Sequence, residues 1–179
     1  MGVPTDRMSL PTEDHQVLVL HVLSRKNIEV VQGHIEAYVR RDAQEMRRLS
    51  SADLELDWSA SKGWLADVYR GVDEVMRFYA DYYAHFAEIL IETESYTSTG
   101  DYVVVPNIAY QLGRGGIEVT ARSTFVFTVE DGMITRICLY QETPEALEAV
   151  GVEWAPTTPN SEGGIVGSGR RDRVVSACS

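Results

Sequence analysis

Between residues 88 and 141 the chain repeats with a period of two in four segments, 88–98, 102–112, 117–129 and 133–141. No helix accommodates such a run, because 3.6 residues per turn would scatter the alternating apolar side chains around its circumference. A sheet collects them on one face. The third segment is the clearest. Val119, Ala121, Ser123, Phe125, Phe127 and Val129 fall on one face, predicted to pack, and Glu118, Thr120, Arg122, Thr124, Val126 and Thr128 on a wetter one. Gly113-Arg114-Gly115-Gly116 and Glu130-Asp131-Gly132 separate the last three segments, and both suit hairpins because glycine accepts positive φ.

The residues ahead of this sheet follow other rules. Asn27 is an N-cap candidate for a helix in which Ile28, Val31, Ile35 and Tyr38 share a face, ending near Arg40-Arg41. Asp42 and Glu45 have capping-box spacing for a second short helix with Met46 and Leu49 inward. Residues 53–58 alternate as one half-buried strand, and a loop from 59 to 68 carries Gly63 and Trp64. Gly71 opens a third helix with a stripe of Val72, Val75, Tyr79, Tyr82 and Phe86. After the sheet, Thr143 caps a last helix with Pro144 at its first position, where the missing amide is harmless. The expected division is an N-terminal extension over 1–26, partly mobile, a domain over 27–151, and a Pro-, Thr-, Gly- and Ser-rich tail over 152–179 expected to be disordered.

Composition narrows the function classes. A net charge of -11 argues against nucleic acid, whose binding needs clustered Lys and Arg, and the basic run at Arg170, Arg171 and Arg173 reads as a solvated tail charge. Two cysteines, Cys138 and Cys178, are too few for a disulfide framework and fit a reducing compartment, so the expected location is cytoplasmic. The apolar run 17–23 falls short of the roughly 18 residues that cross a bilayer. No membrane role is expected. His15, His21 and His85 lack ligand-like spacing, so neither a metal nor a cofactor is expected.

Asp57-Trp58-Ser59, Tyr69-Arg70-Gly71, the turn at 129–134 and the closing run 145–151 resemble the SnoaL-like branch of the NTF2-like superfamily. The resemblance implies an α+β cone. A strongly bent, mainly antiparallel sheet is wrapped by about three helices from the N-terminal half plus a short C-terminal one, commonly as a homodimer. It also implies an enclosed hydrophobic pocket, used by related ketosteroid isomerases and polyketide cyclases for proton abstraction next to a carbonyl.

Compared with ketosteroid isomerases, the first helix puts His34 at the place of the oxyanion-binding tyrosine. Trp58 stands at the place of the general-base aspartate, with Asp57 one residue early. The two candidate catalytic residues are therefore Asp57 as base and His34 as donor. A one-residue step in a strand reverses the face, so Asp57 reaches the hollow only through a bulge or a shifted register; otherwise it is an exposed strand acid. His34 is either that donor or a hydrogen-bonded buried histidine. The resemblance makes Tyr38, Trp58, Trp64, Tyr69, Tyr79, Tyr82, Phe125 and Tyr140 candidate walls for a flat hydrophobic or aromatic ligand, each alternatively a core residue. Asn107 interrupts an apolar face and is a candidate polar group at the pocket or its rim, with Pro106 beside it suggesting an irregular strand. Arg122 lacks the second carboxylate that epoxide hydrolysis in this superfamily requires, and is expected on the outer face against an acid. Two functions stay open: a cofactor-independent isomerase, cyclase or dehydratase, and a non-catalytic ligand-binding or dimerisation module.

Overall fold

The computed structural model describes residues 13–63 and 65–153, and the side chains within that range from residue 24 onward. The expectations for residues 1–12, for Trp64 and for 154–179 lie outside it.

The first helix, α1 (Glu13–Arg40), is much longer than expected: 28 residues, or about 42 Å at the helical rise. Asn27 therefore does not cap it. No Gly or Pro interrupts residues 13–32, so the helix runs through the expected start. Asn27 is buried within it and its Nδ2 donates to the Gly100 carbonyl at 3.5 Å.

Next comes α2 (Ala43–Arg48), capped as expected by Asp42, whose side chain accepts from the Glu45 amide at 3.0 Å. The reciprocal half of the capping box does not form, because the Glu45 carboxylate pairs with Arg48 at 2.7 Å.

The strands are β1 (Ser50–Asp57), β2 (Val68–Arg70), β3 (Phe86–Thr93), β4 (Thr97–Thr99), β5 (Tyr102–Gly113), β6 (Glu118–Glu130) and β7 (Met133–Tyr140). Helix α3 (Val72–His85) stands between β2 and β3, and α4 (Thr143–Ala149) follows β7. The loop expected before α3 contains β2, antiparallel to β1. The expected single strand over 88–98 divides into β3 and β4, both paired with β5. The irregularity inferred from Pro106 therefore lies across from it, since β5 runs in unbroken register against β6 through Pro106↔Thr124 and Asn107↔Ser123.

The sheet order is β2-β1-β7-β6-β5-β3, with β4 also on β5, and only β1 and β7 run parallel. Asp131 (φ 51) and Gly132 (φ 77) make the two-residue turn between β6 and β7. Positive φ at both positions matches the right-handed twist of the strands it joins.

Helices α1 and α3 cover the concave face. Val31, Ile35, Leu54, Leu56, Val75, Phe78, Phe127 and Ile137 form the main core there. The other face is not uniformly wet. Val126, expected to face solvent, is buried with Val104, Cys138, Ala146 and Leu147 beneath α4. That helix starts one residue differently from expectation: Glu142 occupies the cap position, while Thr143 Oγ1 hydrogen bonds Thr124 Oγ1 at 2.8 Å. The curved sheet wrapped by helices is the α+β cone expected from the sequence.

Candidate functional site

The hollow begins on α1. Val31, His34, Ile35 and Tyr38 recur at three- and four-residue spacing and turn toward the sheet. His34 is 2 % exposed, so it belongs to this inner face and not to its edge. Opposite it, Leu56 and Trp58 alternate inward from β1 and its end, Phe125 and Phe127 from β6, and Ile137 from β7.

Two compartments result. The wider, about 350 Å³, opens past Lys62, Val119 and Arg122, while the deeper has about 30 Å³ and is walled by His34, Leu56, Tyr79, Phe127 and Ile137. Tyr38, Trp58, Ile91 and Phe125 border both. Trp58 stacks on Phe125 with ring centroids 5.9 Å apart and planes at 25°. Trp58 also meets Phe78 at 5.5 Å and Tyr82 at 6.1 Å, and Tyr38 meets Tyr79 at 5.1 Å. The wider compartment falls within the usual size of small-molecule pockets, and the deeper has room for about one water-sized group.

The chemistry of the deep end is set by His34. Both ring nitrogens are buried without a hydrogen-bond partner among the described residues, and the nearest rings are Phe127 at 6.1 Å and Tyr79 at 6.4 Å. Burial alone lowers its pKa from 6.5 to about 4. At neutral pH the imidazole is therefore uncharged, with one donor and one acceptor to offer. Burial also raises the pKa of Tyr79, and raises that of Tyr38 well above the ordinary phenol value.

Asp57 is separated from this constellation. It is buried, but neither compartment includes it. Its Oδ1 accepts from the Ser59 amide at 3.1 Å and the Ser59 hydroxyl at 2.5 Å, and its Oδ2 lies 3.9 Å from the Arg136 guanidinium. Arg136 also pairs with Glu55 at 3.0 Å. Leu56 and Trp58 point inward, so Asp57 points outward, and no bulge occurs at its register positions: Leu56↔Ile137 and Asp57↔Cys138 are consecutive. The base assignment for Asp57 fails on that geometry.

Among the expected walls, Tyr38, Trp58, Tyr79, Tyr82 and Phe125 line the hollow. Three expected residues do not. Tyr69 donates to the Leu65 carbonyl at 2.8 Å and packs on Phe78 at 4.5 Å. Asn107 is fully buried inside the sheet, donating to the Val105 carbonyl at 3.2 Å and accepting from Ser123 Oγ at 3.3 Å. Tyr140 packs with α4 on the opposite face.

Arg122 makes the expected ion pair with an acid, Glu94 at 2.6 Å, yet also borders the mouth. Sequence reasoning missed Ile91, Ala109, Gln111 and Gln141. Parity was the usable signal: Ala121 pairs with Ala109 and Val119 with Gln111, so the inward face of β6 carries theirs with it. Gln111 Nε2 donates to Tyr82 Oη at 2.7 Å, and Gln141 Nε2 to the Ala60 carbonyl at 2.8 Å. The second bond ties the loop carrying Ser61 and Lys62 over the mouth.

Comparison with known proteins agrees with this geometry. No curated protein matches the sequence. Similar solved structures include an NTF2-like protein of unknown function from Burkholderia pseudomallei, at 22 % identity and a TM-score of 0.59, covering 70 % of this chain and 97 % of that one. TerC co-crystallised with polyporic acid is similar at 20 % identity and TM-score 0.59, covering 70 % of this chain and 98 % of that one. A Mycobacterium tuberculosis protein in complex with estradiol-17β-hemisuccinate has 17 % identity and TM-score 0.58, covering 65 % of this chain and 94 % of that one. At these identities the likeness is one of fold. The model of the SnoaL-like domain matches residues 31–137, more than half of the chain. The chain belongs to the SnoaL-like domain family, within the NTF2-like fold.

Proposed function

We propose that the hollow binds a flat, mainly hydrophobic metabolite whose polar end reaches His34. The observation that carries this reading is the pair of unpartnered, buried imidazole nitrogens at the closed end of an aromatic-walled cavity. Unsatisfied buried polar groups are costly, roughly 1–3 kcal/mol each, and a ligand oxygen supplies the missing partner. Two fold neighbours crystallised with organic ligands support a binding role.

A binding function is favoured over isomerase, cyclase or dehydratase chemistry by proton abstraction. Among the described residues no Asp or Glu lines the hollow; His85 stands only in the wider compartment, and the imidazole at the deep end, His34, has a pKa near 4 and is a weak base. A cytoplasmic location is proposed from the two cysteines, too few for a disulfide framework. No described helix is long and apolar enough to cross a membrane.

A homodimer is proposed through the β3, β5 and β6 end of the sheet, where Leu90 is 51 % and Tyr110 38 % exposed. Sedimentation at low protein concentration tests it, and a strict monomer refutes it.

The test of binding is an estradiol titration followed by tryptophan fluorescence, with Trp58 as reporter. Saturable quenching is expected, weakened roughly threefold to tenfold in His34→Phe, the worth of one hydrogen bond. Absence of saturable quenching together with turnover of a β,γ-unsaturated ketosteroid would replace the binding reading with the catalytic one.

A further inference from the structure

The inward positions of β6 change size along the strand. Phe127 and Phe125 are large, Ser123 and Ala121 small, and each step of two residues advances about 7 Å. Phe127 lines the deep compartment, Ser123 and Ala121 line the wide one, and Phe125 borders both. Ala121 pairs with Ala109 of β5, so two small side chains lie side by side in the wall of the wide compartment. The division of the hollow is therefore written into alternate residues of one strand.

The boundary between the compartments is a collar of Tyr38, Trp58, Ile91 and Phe125. Trp58 reaches it from just past the end of β1 and stacks on Phe125 at 5.9 Å with planes at 25°, while Phe125 meets Phe127 edge-on at 6.1 Å. Phe78 at 5.5 Å and Tyr82 at 6.1 Å brace Trp58 from α3. Tyr38 closes the helical side against Tyr79 at 5.1 Å and Tyr83 at 5.2 Å. Rings braced on several sides resist displacement, because a shift of one forfeits its contacts with all the others.

We infer that this collar, with the Trp58 and Phe125 stack at its centre, is a size filter: the end of the ligand that meets His34 is a single oxygen substituent on a ring, and longer substituents are kept out. The inference rests on the ligand-binding reading above and adds the shape of the group that enters. The wide compartment, about 350 Å³, takes a ring system, and the deep one, about 30 Å³, takes one oxygen. That oxygen gains a hydrogen bond, since neither nitrogen of His34 has a partner among the described residues. Extending it by one carbon presses on Leu56, Phe127 and Ile137, which are buried in the main core. A pocket of this kind discriminates one methylene by roughly tenfold or more.

The sign of the effect separates a filter from simple burial. With no filter, each added carbon tightens binding by removing more apolar surface from water; with one, it weakens binding. The experiment is equilibrium dialysis of the full chain against 2-naphthol, 2-methoxynaphthalene and 2-ethoxynaphthalene. In the wild type both ethers are expected to bind roughly tenfold more weakly than 2-naphthol. Phe125→Leu and Phe125→Ala open the collar, and the gap between 2-naphthol and its methyl ether should close to about threefold or less. If the ethers bind the wild type as tightly as 2-naphthol or more tightly, the filter is overturned while the ligand-binding reading stands, and this comparison decides even should neither variant fold. If folded variants weaken all three probes by one common factor, Phe125 is a packing residue and the collar assignment is overturned. If none of the three binds saturably, both readings are overturned.

Discussion

His34 and Asp57 stand on opposite sides of the curved sheet, the imidazole in the hollow near Phe127 and the carboxylate on the outer face with Ser59 and Arg136. The two residues that sequence comparison paired as donor and base therefore cannot act on one substrate atom. Each has a different role, and each role has a measurable consequence.

For His34 the consequence is a stability cost carried by the empty protein. Its two unpartnered nitrogens contribute unfavourably, and phenylalanine keeps an aromatic ring without the polar atoms, its extra volume entering the adjoining compartment of about 30 Å³. His34→Phe is expected to raise unfolding free energy by about 1–2 kcal/mol in denaturant titrations. A loss of that size would mean that the ring nitrogens are satisfied in the folded protein.

The same burial makes stability depend on pH. The folded-state pKa of His34 is about 4 against 6.5 when unfolded, so below 6.5 the unfolded chain binds the proton more readily and folding weakens as pH falls. The contribution is fully present above pH 6.5 and is lost progressively down to about pH 4. Between pH 7 and pH 5 that costs about 2 kcal/mol. Wild type compared with His34→Phe isolates it from the carboxylates, which both proteins share. Equal pH slopes would exclude the histidine as the cause.

Asp57 holds structure at the end of β1. Its hydrogen bonds fix Ser59 at the start of the loop over the mouth, and its charge faces Arg136. Asp57→Asn should destabilise the protein by about 1–2 kcal/mol and leave the estradiol affinity of the folded protein within twofold. A thousandfold loss of turnover in a protein that proved catalytic would return Asp57 to the mechanism.

Gly71 precedes α3 with φ 86 and ψ 139, and its amide donates to the Leu54 carbonyl at 2.8 Å. A methyl group there would have room, its nearest neighbour being the Ala52 carbonyl oxygen at 4.0 Å, so the obstacle is backbone strain alone. Gly71→Ala is expected to cost about 1–3 kcal/mol. Measured unfolding free energies within 0.5 kcal/mol of each other, roughly the noise of surface substitutions, would contradict the strained conformation.

Local chemistry made much of the fold legible. Period two from Val119 to Val129 specified the inward face of β6, Asp131-Gly132 specified a tight hairpin turn, and the spacing of Val31, Ile35 and Tyr38 specified the inner face of α1. These signals depend on neighbours a few residues apart, so they can be read without knowing the rest of the chain. The start of α1 could not be read that way. Asn27 had the chemistry of a cap, but its buried place against Gly100 depends on a contact 73 residues away.

Site geometry depended most on such distant pairings. The sequence by itself determined an α+β chain with an aromatic hollow and placed Tyr38, Trp58 and Phe125 on elements that face it. Only the tertiary structure decided that Asp57 leaves the hollow and that His34 closes it with no partner among the described residues. The physical reason is that side-chain parity is local, whereas burial and electrostatic environment are sums over everything the fold brings near.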